Sequence, residues 1–231
     1  MIQSYLHEFF FGYFPYLCLS VCLVATIIRY DREQYTWKAD SSMLLRSRGM
    51  VIASNLFHVG ILFLFLGHAV GLLTPHAVYE PFISAPQKAF LAMTAGGIAG
   101  IVCLLGMSWL LYRRLFDPRI RATSKPMDTV VLVLLYLQLL LGLGTIPFSA
   151  RSPDGSSMMA LANWAQYILT FRSGAADLIV HEPWVFKTHI VLGLLIIGLF
   201  PFTRLVHMLS GLTAPVRYLI RSGFQIARKR G

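Results

Sequence analysis

The sequence predicts an all-α integral membrane protein with five transmembrane helices, and three observations predict it. Hydrophobic residues make up 56% of the chain and charged ones 13%, with a mean hydropathy of +0.65, a composition outside the soluble globular range. Five stretches are apolar over roughly the 20 residues that cross a bilayer core. Basic residues crowd into alternate loops, as an odd number of crossings requires.

The spans fall at 5–28, 49–73, 88–112, 127–148 and 184–210, in a single transmembrane domain covering 1–231. The first opens in the aromatic stretch FFFGYFPYL, where Pro15 kinks or resets the helix, and ends at Arg29. Loop 30–48 is polar, with Tyr30, Tyr35 and Trp37 as interface anchors. The second span, RGMVIASNLFHVGILFLFLGHAVGLL at 48–73, stops at Thr74-Pro75. In the third, Gly96 and Gly100 make a GxxxG face, which serves close helix packing or clearance for a cofactor edge. The fourth carries Gln138, an interhelical hydrogen-bond donor in this reading. Residues 155–171 are too short and mixed to span. Met158, Leu161, Ala162, Ala165 and Ile168 share one helical face there, so a surface-lying helix is expected. The fifth span contains Pro201. The tail 211–231 is basic and partly amphipathic through Val216, Leu219, Ile220 and Phe224, suited to a membrane surface or a partner.

Loop 29–48, segment 113–125 and the end from Arg204 hold 16 of the 20 Lys and Arg residues. The other side keeps Lys88, Arg151, Arg172 and Lys187. Positive-inside then sets the N-terminus outside and the C-terminus in the cytoplasm. The net charge of +10 is therefore a topology signal with anionic lipid or protein contacts, and nucleic acid is excluded as a partner. Cys18, Cys22 and Cys103 lie in apolar spans with no CxxC or CxxCH, which argues against iron–sulfur clusters, structural zinc, covalent haem and a disulfide framework. The N-terminus has no basic n-region, so no cleavable signal is expected.

The second span carries His58 and His68 in an apolar run, and ionisable residues there are rare and functional. They lie about 15 Å apart along the axis and about 80° apart around it. Gly60, Gly67 and Gly71 form a side-chain-free stripe beside them. Imidazoles beside a groove that admits something flat point to haem ligation, and two such rungs to two haems. His189 and His207 in the fifth span are eighteen residues apart, five whole turns on one face. Gly193 and Gly211 each follow their histidine by a turn. Running antiparallel from ends near 48 and 209, His58 lies about 15 Å deep, His68 about 30 Å, His207 about 3 Å and His189 about 30 Å. Pairing His68 with His189 costs no depth, and pairing His58 with His207 leaves about 12 Å. The crossed pairing leaves about 15 and 27 Å. Tilt, a later helix end or a kink at Pro201 must absorb the inner mismatch. A hydrogen-bonded core histidine is the competing reading of any one of them. Four on two antiparallel helices at compatible depths favour bis-histidine ligation of two b haems between helices 2 and 5. Each ring's other nitrogen then needs an acceptor, such as a backbone carbonyl one turn back. Arg204, one turn before His207, is the local cation for an inner-haem propionate. His7, His76 and His181 read as surface histidines.

RYDREQYTW (29–37), ASNLFHVGIL (53–62), GHAVGLLTPH (67–76), RRLFDPRIRAT (113–123), GLGTIPFSA (142–150) and LFPFTRLVH (199–207) cover all five spans. In combination they resemble the gamma, cytochrome b subunit of membrane-bound respiratory nitrate reductase. The match is weaker over 172–185 and after Gly211. The resemblance implies a five-helix anchor in the bacterial cytoplasmic membrane, with His68 and His189 on the outer haem and His58 and His207 on the inner. It implies quinol oxidation (menaquinol or ubiquinol) near the outer haem. Electrons then pass to iron–sulfur clusters of a beta subunit and to a molybdenum-containing alpha subunit that reduces nitrate. Lys88 matches a lysine tied to the quinol site in that family; a lysine snorkelling from a helix end is the alternative. Gly67 and Gly71, near His68, leave room for the quinone ring. A haem b anchor of a heterodisulfide- or sulfite-reductase-type complex would use the same four histidines, and the loop motifs favour nitrate. A non-redox anchor or transporter would leave them as core polar residues. No molybdenum or iron–sulfur site is present in the sequence, so nitrate chemistry is expected in the partners.

Overall fold

The computed structural model describes residues 2–33, 37 and 48–209. Tyr35, Lys38, Arg46, Gly211 and the tail 211–231 lie outside the described residues. Five helices long and apolar enough to cross a membrane run over Gln3–Arg32, Gly49–Leu73, Ala85–Phe116, Pro126–Ser149 and Trp184–Phe202. The first comprises α1 (Ile2–Glu8), a π-helical turn at Phe9–Tyr13, and α2 (Phe14–Arg32). The second is α3 (Arg48–Leu73), followed by the short α4 (His76–Tyr79). The third is α5 (Ala85–Phe116), and α6 (Pro118–Thr123) links it to the fourth, α7 (Pro126–Ser149). The fifth begins as α9 (Trp184–Leu199).

Local chemistry sets these boundaries. Pro15 has no N–H to offer the Phe11 carbonyl, and the π-helical turn lies directly before it, where such turns absorb a disturbed ladder. The Trp164 indole N–H donates to that same carbonyl at 2.9 Å. The start of α5 is a capping box: the Ser84 backbone N–H donates to Gln87 Oε1 at 2.9 Å, satisfying a donor the helix leaves open. Asp117 closes α5 and caps α6, its carboxylate accepting from the Arg119 amide at 3.0 Å. Trp37, expected as an interface anchor, is instead buried, its ring 5.2 Å from that of Tyr30.

The spans pack in the order second, third, fourth, fifth, first, with α3 on α5, α5 on α7, α7 on α9 and α9 on α2. Among the described residues α3 and α9 share no such packed interface, so the two histidine-bearing helices face each other across the concave side of this arc. Glycine closes the α3–α5 crossing. A Cβ on Gly106 would stand 2.5 Å from the Phe57 nitrogen and 2.6 Å from the Ala53 oxygen, and one on Gly60 would stand 2.7 Å from the Cys103 nitrogen. Small residues allow such close backbone approach. Gly60 therefore packs against the third span rather than lining a cofactor groove with Gly67 and Gly71. Gly100 packs on Leu143 and Gly97 on Ile146, whereas nothing lies within 4 Å of a Cβ on Gly96; of the GxxxG pair, only Gly100 is a contact. Replacing Gly106 with Leu should cost at least about 1–3 kcal/mol, because the obstacle is backbone that cannot repack. The check is a lowered melting temperature in detergent, with Gly96→Leu as the near-neutral control.

One end of the bundle is capped by protein. α8 (Ser156–Leu169) and a 3₁₀ turn at Ala176–Ile179 form a core with the start of the first span, including Phe11, Trp164, Ile168 and Ile179. Ala162, Ala165 and Ile168 are the buried face expected of this segment, but it rests on the protein rather than on a membrane surface. Gln166 Nε2 donates to the Leu72 carbonyl at 2.9 Å, tying α8 to the end of the second span. His7, expected at the surface, is half-buried and bonds the Ala176 carbonyl through Nε2 at 2.8 Å. At the opposite end lie Arg29, Arg114, Asp128 and Arg204, gathered from four spans by contacts described below.

Candidate functional site

His58 and His68 sit on α3 and His189 on α9, the two helices that face across the arc, and His207 lies beyond the end of α9. His58 Nδ1 donates to the Ser54 carbonyl at 2.7 Å and His68 Nδ1 to the Leu64 carbonyl at 2.7 Å. In the fifth span His207 Nδ1 donates to the Arg204 carbonyl at 2.6 Å. A ring nitrogen this close to a carbonyl oxygen must carry the proton, so Nε2 is left as the lone-pair nitrogen. Such a tether fixes tautomer and ring direction in metal-binding histidines.

His189 is held differently. Gln138 Nε2 donates across from α7 to the His189 carbonyl at 3.0 Å and also stands 3.4 Å from His189 Nε2. Gln138 is therefore the interhelical donor expected of it, and it touches the site as well. Gly193, one turn after His189, clears this amide, since its Cβ would stand 2.9 Å from Gln138 Nε2. Gly142 lies one turn after Gln138, and its Cβ would meet His189 Cε1 at 3.0 Å. Glycine at these two places leaves the ring and the amide in their observed positions without displacement. Gly142 had one sequence signal, its spacing of four from Gln138, which places both on one face.

The structure brings His68 and His189 together, with ring centroids 6.1 Å apart and planes tilted by 36°. Two imidazoles bonding one metal at about 2.0–2.1 Å have ring centres about 6 Å apart. His189 Nδ1 is buried without a partner among the described residues. Among those residues no three His, Cys, Asp or Glu side chains converge; a pair of histidines is the protein donor set that haem iron takes in bis-histidine sites. The donor set fits that group. His58 and His207 are not brought ring to ring.

The reason lies in the fifth span, which is not one helix to residue 210. α9 gives way to 3₁₀ turns at Phe200–Phe202 and Arg204–Val206, with Thr203 extended between them at φ −116° and ψ 176°. Pro201 marks the break, as expected of an interior proline. Uniform helical depth therefore does not apply to His207. Thr203 is 3% exposed; its hydroxyl donates to the Phe200 carbonyl at 2.9 Å and accepts from the Leu205 amide at 3.1 Å. Arg29 Nη1 donates to the carbonyls of Pro201 at 2.5 Å and Thr203 at 2.9 Å. Arg204, expected beside a propionate, has Nη1 3.5 Å from Asp128 Oδ2, and Arg114 Nη1 stands 3.7 Å from the same oxygen.

Near the capped end, Lys88 occupies the first turn of α5 and is 8% exposed. Its Nζ lies 3.8 Å over the Tyr79 ring centroid, a cation–π contact that shelters the ammonium. It does not snorkel into open solvent. Burial, and then the neighbouring Glu80 carboxylate, hold the Tyr79 phenol above its ordinary pKa. A cleft of about 240 Å³ beside Tyr79 is lined by Thr74, His76, Ala162, Asn163 and Gln166. Exposed His76 pairs with Glu80 at 3.2 Å. Of the two expected quinone-ring glycines, Gly67 is open for 4 Å around its Cβ position, and Gly71 faces Met158 Cε of α8 at 3.7 Å.

A family model described as the nitrate reductase gamma subunit matches residues 7–230. The chain is 51% identical over 230 residues to the respiratory nitrate reductase 2 gamma chain of Escherichia coli K12, covering 100% of each chain. It is 48% identical over 228 residues to the respiratory nitrate reductase 1 gamma chain of the same organism, covering 99% and 100%. With the nitrate reductase gamma chain of Bacillus subtilis 168 the identity is 38% over 224 residues, covering 96% and 98%.

Proposed function

The chain belongs to the respiratory nitrate reductase gamma-subunit family, and on that premise we propose that it is the di-haem cytochrome b anchor that oxidises quinol for the complex. It sits in the bacterial cytoplasmic membrane with its N-terminus outside. Its partners are an iron–sulfur beta subunit and a molybdenum-containing alpha subunit that reduces nitrate at the cytoplasmic side. The observation that carries this reading is the His68–His189 pair, 6.1 Å between ring centroids, on helices that share no extensive interface among the described residues.

His68 and His189 would hold the outer haem, and His58 and His207 the inner. When bound, the haems supply one-electron redox centres at two depths in the bilayer. The chain's own residues do the rest. The Leu64 and Ser54 carbonyls keep the proton on Nδ1 of His68 and His58, so Nε2 is the nitrogen that would ligate. Gln138 and Gly142 set the pose of His189. Arg204, already beside Asp128, supplies positive charge for the inner haem's propionate. At the outer face the quinol ring enters where Gly67 leaves space, and Lys88 hydrogen-bonds one of its oxygens. Two protons leave to the outside while two electrons pass inward, so charge is separated although no proton crosses the protein.

The test is to add a menaquinol analogue to membranes holding the assembled complex and follow haem absorbance. Reduction by quinol and reoxidation on adding nitrate, lost when the alpha and beta subunits are absent, is the expected result. Haem that quinol cannot reduce would defeat the reading.

A further inference from the structure

We propose that Arg29 is a positioning residue for the inner haem site: from the end of the first span it holds the broken segment 200–206 that aims His207. The inference rests on His207 being a haem ligand. The break leaves carbonyls without the amide donors a continuous helix would give them, and such groups must be satisfied internally in a membrane. Arg29 Nη1 does this for Pro201 and Thr203 at once, at 2.5 and 2.9 Å. These carbonyls lie on either side of the helix break, Thr203 itself being extended. The next carbonyl, that of Arg204, is the one His207 Nδ1 bonds at 2.6 Å.

The first 3₁₀ turn packs on α2 as a unit, with Pro201 and Thr203 both buried. The second is gripped on its other side by Asp128 through Arg204. Thus His207 takes its ring direction from a turn that depends on side chains of the first and fourth spans, not from its own helix. His58 and His68 have no such dependence, being tethered to carbonyls of their own unbroken helix, and His189, though posed by Gln138, also sits within an unbroken helix. An arginine suits this role because its delocalised charge tolerates a membrane end and offers donors in fixed directions.

The test uses the intact complex in native membranes, with Arg29→Lys, Arg29→Ala and Thr203→Val. Thr203→Val removes the hydroxyl that accepts the Leu205 amide, loosening the same turn without touching Arg29. The readouts are haem content, the midpoint potential and low-spin signal of each haem, and hydrogen exchange of the amides at 204–207. Arg29→Ala should speed exchange there by about tenfold or more, the loss expected for a charge-assisted hydrogen bond. It should also shift or remove only the inner haem's signal, with Lys intermediate and the outer haem unmoved. Should the alanine variant fail to accumulate, Arg29→Lys and Thr203→Val must each shift the inner signal alone. Two haems with unaltered potentials and signals in the variants that accumulate would overturn the proposal and leave the di-haem reading standing. A native complex lacking the inner haem would instead defeat the reading beneath it.

Discussion

Replacing His68 with alanine is expected to leave one b haem per chain where the di-haem proposal gives the native protein two, with the surviving haem retaining its potential. His68 is the only member of the outer pair whose Nε2 is free by construction, its Nδ1 proton being committed to the Leu64 carbonyl. Losing even an outer-shell partner costs about 10–100-fold in metal affinity, so losing a ligand should exceed 100-fold and empty the site. The inner pair lies at the other end of the span, about 15 Å away along the helix, and should keep its haem. Quinol-driven reduction of that haem should fall to background. Haem counted per polypeptide in the purified variant checks the first point, and stopped-flow absorbance the second. Two retained haems would refute His68 as a ligand.

Lys88→Ala should lower kcat/KM for quinol by about 10- to 100-fold, the equivalent of one hydrogen bond to a charged group, with haem content unchanged. Lys88 is among the few buried polar side chains, and burying an ammonium is costly unless it is partnered. The Tyr79 face gives it shelter, and no hydrogen bond holds its ammonium among the described residues, which would leave its N–H donors for a quinone oxygen. A lysine serving only to end a helix would lose nothing of the kind on substitution. Steady-state quinol oxidation with spectroscopic haem counts separates the two, and native kinetics in the variant would remove Lys88 from the site.

Five spans were legible because length and hydropathy alone determine them; the structure extends the first, third and fourth by a few residues, keeps the second, and ends the fifth at Phe202 rather than at 210. That Arg29, Arg114 and Arg204 share one end of the bundle was legible too, from alternation of the loops. The fate of the fifth span was only half legible. Pro201 announces a break, but nothing in the composition shows that Thr203 turns extended or that Arg29, 172 residues before Pro201, satisfies the carbonyls of the break. Angular position on a helix wheel put Gly60 with Gly67 and Gly71. It could not show that α5 lies against the first of these, because a wheel says which residues share a face and not which neighbour that face meets. The same limit applies to 155–171. Its apolar stripe was visible, whereas its packing on protein depends on Trp164 reaching the carbonyl that Pro15 leaves without a donor. His189 needed the partner helix as well. Its pose depends on Gln138 and Gly142, and a lone Gln in an apolar span does not reveal its partner.

The central claim is that two histidine pairs hold two haems, and a reduced-minus-oxidised optical spectrum of the purified chain, with haem quantified per polypeptide, tests it most directly. Two low-spin b haems per chain is the predicted result. A well-folded preparation without haem would return the four histidines to core packing and contradict the account.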